Sequence, residues 1–224
     1  RGASAGAFHE TLEHYVTVEI FSKLSAEQKR VLSALSIYRE PMVLEALALQ
    51  QLDTDELDNL VESGLARQAD STTYDVHDLI REFLLRSLSP ALKEEFHAKC
   101  MEWYEKQTQS NEVTIELIYH AIQSNQFEPA SELIMDKGRH LVSQGHMELL
   151  GLLERIEAVD LESKTVVLLG QLQGDILALL GRLSTAEEVL NKALEGAKED
   201  NNPSIEAEIL SSLADVSRKQ GNSD

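Results

Sequence analysis

The stretch VVLLGQLQGDILALLGRLSTAEEVLNKALEGAK, starting at Val167, constrains the chain more than any other. Its small residues stand at fixed places: Gly174 and Gly181 bracket Leu177 in a leucine-rich segment, and Ala186 and Ala193 bracket Leu190 in the next. Leu169, Leu172, Ile176, Leu179, Leu180 and Leu183 fall within about 100° of one another at about 100° per residue, so the first segment is a helix with one broad apolar face. Gly181 ends it, and a second helix returns. A pair of this kind cannot bury its apolar face alone, and it gains a core only by stacking on neighbours. Such neighbours are present. Ala214 and Gly221 lie forty residues after Gly174 and Gly181. An earlier, degenerate unit is IELIYHAIQSNQFEPASELIMDKG, with Phe127, Ala130 and Leu133 in the corresponding places, and GHMELLGLLERI adds one more helix.

This pattern resembles the tetratricopeptide repeat. It predicts a TPR-like α-solenoid over 112–224, with an apolar face left open where the last copy stops at Asp224 and more repeats beyond it in the native protein.

The preceding region has a different plan. Apolar residues still recur at three and four, and Pro is rare, so the fold class is mainly α. SAEQKRVLSALSIY opens with Ser25 as an N-cap and places Val31, Leu32 and Leu35 on one face. Pro41 begins a second helix, MVLEALAL. DTDELDNLVESG is the third, capped by Asp53 or Thr54, with Leu57, Leu60 and Val61 facing inward. Gly64 then ends the helical pattern; Leu65 to Ala69 and Tyr74 to Val76, joined by the turn-rich DSTT, form an antiparallel hairpin. Three helices and a hairpin are the layout of a winged helix-turn-helix domain, expected over 21–108 after an N-terminal segment or linker helix at 1–20.

Helix LIREFLLRSL carries Leu79, Ile80, Phe83 and Leu84 on one face. SPALKEEFHAKCMEWYEKQ begins with Ser89 as cap and Pro90 at the first helical position, and sets Leu92, Phe96, Cys100 and Trp103 on one stripe. Cys100 is therefore core packing, and a lone cysteine in a chain with no apolar run or leader suits a reducing cytoplasm without membrane insertion.

Groove reading by the third helix is disfavoured. Asp53, Asp55, Glu56, Asp58 and Glu62 stand there with no Lys or Arg, whereas DNA recognition needs cations on phosphates. Two like charges about 4 Å apart at a surface-like effective dielectric repel by about 4 kcal/mol. The formal charge of the whole chain, −19, points the same way.

At residues 74–83, YDVHDLIREF, a short strand ends in Val-His-Asp and runs into a helix. This resembles the winged-helix domain of the STAND-class NTPases, the group of apoptotic ATPases, plant NB-ARC resistance proteins and maltose-regulon activators, whose motif is Met-His-Asp. Val76 takes the Met place, and His77 and Asp78 match. The resemblance implies that His77 reaches the β-phosphate of bound ADP and holds the protein closed, while Asp78 fixes the turn. A histidine there can donate to a phosphate oxygen, and Asp78 can cap free backbone N–H groups; a plain cap beside a surface imidazole is the alternative. The repeats from Val113 onward resemble the superhelical sensor arm of the maltose-activator branch, which regulates transcription.

No GxxxxGK[ST] occurs, so these residues do not cradle a triphosphate, and no enzyme activity is expected of them alone. The resemblance places ADP or ATP with Mg in a full-length parent, on a nucleotide domain ahead of Arg1, and makes FHETLEHYVTVEIFSKL the last helix before the winged domain. HETLEH is close to a zinc-protease motif, but His9 and His14 are five apart, about 140° around a helix, where metal pairs need four. HAKC lacks a second pair for tetrahedral coordination. His120, His140 and His146 are expected as partly exposed structural histidines.

The reading is a regulatory fragment of a STAND-type ATPase whose arm binds a protein or small-molecule inducer. The alternatives are a repeat scaffold without nucleotide coupling and a DNA-binding winged-helix regulator.

Overall fold

The computed structural model describes residues 21–50, 52–156 and 161–221. The expected linker helix at 1–20, with His9 and His14, lies outside the described residues. The chain divides into two compact units, one ending at Lys106 and the other beginning at Gln107.

In the first unit a 3-10 turn at Phe21–Lys23 precedes α1, Ala26–Ile37. The start of α1 is a capping box: Gln28 N–H donates to Ser25 Oγ at 3.0 Å, and Ser25 N–H donates to Gln28 Oε1 at 3.0 Å. Val31, Leu32 and Leu35 are buried as expected. The second helix is shorter than its pattern, because Met42–Val43 form strand β1 and only Leu44–Ala48 (α2) are helical. Met42 pairs with Tyr74 and Val43 with Thr73, so the hairpin gains a third strand.

Helix α3 is Glu56–Glu62, with Asp55 rather than Asp53 or Thr54 at its N-cap. Asp53 Oδ1 instead accepts from Asp55 N–H at 3.0 Å, a local turn that uses up its capping capacity before the helix begins. Leu57 and Leu60 are buried, and Val61 is only half-buried. Gly64 closes α3 in the left-handed region, φ 72°, where Leu65 N–H donates to Leu60 O at 2.9 Å; a side chain there would be strained. Strands β2 (Ala66–Gln68) and β3 (Thr73–Val76) are antiparallel, and β3 lies at the centre of the sheet.

Helix α4 is Asp78–Ser87 and α5 is Pro90–Tyr104. Leu84 of α4 is fully buried, whereas Leu79 is 55 % exposed. Leu79 sits at the edge of the stripe set by Ile80, Phe83 and Leu84, and the broad face of the sequence pattern is narrower in fact. The ring of Phe83 meets Phe21 edge-on at 5.5 Å. In α5 the buried stripe is Phe96, Cys100 and Tyr104 with His97 and Met101, and Trp103 is half-buried. Spacing of four from Phe96 and Cys100 leads to Tyr104, and Trp103 stands one residue off that line.

The second unit is a succession of antiparallel helices: α6 Asn111–Gln123, α7 Phe127–Ser143, α8 Leu149–Ile156, α9 Ser163–Leu179, α10 Leu183–Glu199 and α11 Pro203–Gln220. The fold class is mainly α, as expected. Helix α9 packs on α7, α8, α10 and α11, and it is buried on most of its circumference between Val167 and Ala178. Leu179 and Leu180, expected on its apolar face, are exposed because the helix ends there and the chain turns at Gly181, φ 75°. The Arg182 N–H to Leu177 O bond at 2.9 Å closes that turn.

Backbones approach closely at the small residues. A Cβ on Gly174 would lie 2.5 Å from Leu190, and one on Gly138 would lie 2.5 Å from Leu172. Ala130 in the degenerate unit is fully buried like Ala186, but the residue that corresponds to Leu190 is Ile134, not Leu133. Asn125 and Gly181 occupy the same left-handed turn position, which fixes this register.

Candidate functional site

The corner after β3 is fixed by a carboxylate that sequence reading passed over. Asp75 is 5 % exposed in the middle of the hairpin, directly across from Arg67. Its Oδ2 accepts from Arg67 Nε at 3.1 Å and Nη2 at 2.5 Å, while its Oδ1 accepts from Arg81 Nη2 and from Val76 N–H at 2.8 Å. Arg81 comes from the first turn of α4, and its Nη1 donates to the carbonyls of Ser36, at 2.9 Å, and of Tyr38. One guanidinium thus joins the central strand, the last turn of α1 and the helix that follows the corner. Hydrogen bonds and then the charge of Asp75 raise the Arg67 pKa further above its ordinary value.

This arrangement satisfies carbonyls left over at the end of α1 while neutralising a buried carboxylate. Beneath it, Tyr38 is wholly buried, donates to Ala46 O at 3.2 Å and accepts from Gln50 Nε2 at 3.3 Å. Burial, with Cys100 nearby, pushes the Tyr38 phenol up, so it stays neutral. Cys100 is core packing as expected, within 3.6 Å of Gln50 Nε2.

His77 and Asp78 stand on top of this frame, adjacent and exposed. His77 is the N-cap residue of α4, with extended backbone (φ −64°, ψ 142°), and its imidazole makes no capping bond. Asp78, expected as the cap, is instead the first helical residue; its carboxylate lies in the first turn, where the helix dipole favours negative charge. His77 O accepts from Arg81 N–H at 2.9 Å, so the residue that presents the imidazole is fixed by the backbone of the residue that anchors the corner. An exposed imidazole on a rigid corner can offer one ring N–H to an acceptor brought against it.

The signal for Asp75 was present in the sequence: opposite charges on Arg67 and Asp75 face each other once the hairpin register is set. The contribution of Arg81 had no local signal, since its carbonyl partners lie forty-three and forty-five positions away.

The acidic residues of α3 remain on the surface: Asp53, Asp55, Asp58 and Glu62 are exposed, and Glu56 accepts from Gln28 Nε2 at 2.9 Å. Among the described residues no group of three or more His, Cys, Asp or Glu side chains is arranged to hold a metal ion. His120 departs from expectation, being fully buried with Glu116 Oε2 at 3.6 Å and the ring of Tyr119 edge-on at 5.1 Å. Nearly all of α6 from Thr114 to Ile122 is buried, and His120 with it. His146 is half-buried beside Glu148 at 3.0 Å, and His140 is exposed. No described helix is long and apolar enough to cross a membrane.

No protein-family model and no curated protein matches the chain. Among solved structures it is similar to a Signal Transduction ATPase with Numerous Domains (STAND) protein with a tetratricopeptide repeat sensor from Pyrococcus horikoshii, at 21% identity and a TM-score of 0.49. The match covers 92% of this chain and 37% of that one, so the residues described above span little more than a third of the length of the protein they match.

Proposed function

We propose that these residues are the regulatory part of a STAND-type ATPase. The first unit is its winged-helix domain, and His77 meets the β-phosphate of ADP held by another part of the protein. The second unit is a sensor arm that binds an inducer or partner protein, and that binding releases the ADP-bound off state.

The observation that carries the reading is the contrast at the corner. Asp75, Arg67 and Arg81 lock the backbone, yet the His77 imidazole they present is exposed and does no capping. A histidine kept only for the fold would be expected to bond within it. The reading is also supported by the Val-His-Asp sequence and by the helical hairpins of the second unit, stacked as a binding arm requires. The arm can shift the closed and open forms only by its differential affinity for them.

The test is His77→Ala in the full-length protein. Faster ADP release and raised basal activity are expected, with folding unchanged because the side chain is exposed and outside the Asp75 cluster. Unchanged ADP release removes the proposed role of His77.

A further inference from the structure

The second unit contains a cavity of about 360 Å³ between α8, α9 and α10, within the range of about 300–1,000 Å³ typical of ligand pockets. Leu153 and Ile156 of α8, Val166 of α9 and Val189 of α10 form apolar walls. One residue of α9 accounts for the space and a second gives it a polar wall. The left-handed turn residues Asn125, Gly181 and Gly221 bring the three copies of the repeat into register. Eleven residues before each stand Thr114, Gly170 and Leu210, and eight before each stand Leu117, Gln173 and Leu213. The tetratricopeptide pattern places Trp and Leu at these two positions, the first two residues of W-x2-L-G-x2-Y.

The middle copy is therefore the one that has lost bulk at one position and gained an amide at the other. Both residues line the cavity. Among the described residues, a Cβ on Gly170 would meet only Ala193 Cβ within 4 Å, at 3.4 Å, an ordinary contact distance. Gln173 is 8 % exposed, and its carboxamide forms no hydrogen bond among the described residues. Its polar atoms are not sealed from solvent, so they face the open cavity and are available to a ligand. Its neighbours in register, Leu117 and Leu213, show that the position accepts an apolar residue.

We infer that this cavity is a binding site for a small neutral ligand with a flat or branched apolar body of about indole size and one polar edge that bonds to Gln173. The missing pattern residue, Trp, sets the size of the body. Charge selects against anions: of the ionisable residues lining the cavity, Glu195 and Glu199 outnumber Lys192. The site gives chemical content to the proposed binding role of the arm, and it rests on that role but not on the contact of His77 with nucleotide.

The experiment uses indole as the probe and this chain as the target, followed by amide resonances. Saturable shifts are expected at Gly170, Gln173 and Ala193, with indole-3-acetate binding more weakly. Gly170→Leu fills the cavity and strengthens the helix, so it should abolish binding while the far-ultraviolet circular dichroism is kept. Gln173→Leu restores the residue of the neighbouring copies and should weaken binding about three- to tenfold through loss of one hydrogen bond. Absence of saturable indole binding overturns the site. So does binding unchanged by Gln173→Leu, a variant that remains decisive even if Gly170→Leu fails to fold, and so does equal affinity for indole-3-acetate. None of these results bears on ADP release in His77→Ala, so failure of the pocket and failure of the nucleotide reading are separable.

Discussion

The two units reach a fixed backbone by opposite means. Around the corner of the first, a buried carboxylate is shared between two guanidinium groups, one of which also ties the end of α1 to the start of α4. In the second, helices touch where a side chain is missing: Gly174 against Leu190, Gly138 against Leu172 and Gly196 against Val167. Charge contributes little there, since pairs such as Arg139 with Glu208 at 2.9 Å are exposed and worth at most about 1 kcal/mol. A polar clamp fixes one geometry at one place, which suits the presentation of a single side chain. Small-against-large packing can be repeated along the chain, and it can be relaxed at one repeat to leave a cavity.

The largest expected effect lies in the first unit. Arg81→Ala removes a partner of a buried carboxylate and leaves the Ser36 and Tyr38 carbonyls without their donor. Breaking a pair of this kind costs about 3–5 kcal/mol, and Arg67 still shields Asp75, so a loss of about 3 kcal/mol is expected. Hydrogen exchange should locate it: protection falls in β3 and α4 and is kept in α9 and α10. An equal loss of protection in both units would break the comparison, because the polar clamp would then support more than its own unit.

A smaller loss is expected from Gly174→Ala. The new methyl would lie 2.5 Å from Leu190 Cγ, a branch point with little freedom to move, and overpacking of this sort costs about 1–3 kcal/mol. Thermal unfolding monitored at α9 and α10 checks it. A neutral result would mean that the helices slide apart at no cost, and that the repeat is not held by close approach after all.

This difference also decides what could be read from the sequence. The second unit was legible because its rules are local and repeated: small residues at fixed spacing, left-handed residues at the turns and apolar faces of period 3.6 specify each hairpin within forty residues. The hairpin and the Ser25 N-cap of α1 were legible for the same reason. Strand β1 was not, since Met42 and Val43 are extended only because the edge of β3 lies beside them, thirty residues on. At the corner, the exposed pair His77 and Asp78 could be picked out as a motif, but the reason for its rigidity could not. The pairing of Asp75 with Arg67 follows from the hairpin register, but its tie to α4 does not show until that helix folds back and brings Arg81 against it. Gly170 and Gln173 stood in plain view, yet their meaning depends on alignment with Leu117 and Leu213, which the turn geometry supplies.

The smallest effect concerns a carboxylate in the second unit that has no such clamp. Asp175 on α9 is partly buried against α11, and burial is the main cause that raises its pKa above the ordinary carboxylate value; Asp215 adds to the rise. A hydrogen bond from Ser212 and the charges of Arg139 and Lys219 oppose it without cancelling it. The folded state therefore keeps the Asp175 proton to higher pH than the unfolded chain does. Stability from this group is greatest in acid, falls as pH rises from the unfolded carboxylate range through the raised folded pKa, and stays lower at neutral pH. Asp175→Asn removes the ionised form and keeps an acceptor for Ser212, so Tm at pH 7 should rise by about 1–3 °C, the screened effect of a group still partly in water. At about pH 3, where most of the carboxyl is protonated in both states, the gain should vanish. Asp75→Asn has the opposite sign at pH 7, because two guanidinium groups there lose the charge they were arranged around. If both substitutions lowered Tm at neutral pH, Arg139 and Lys219 would be acting on Asp175 as Arg67 and Arg81 act on Asp75, and the division between a polar unit and a packing unit would fail at its least protected point.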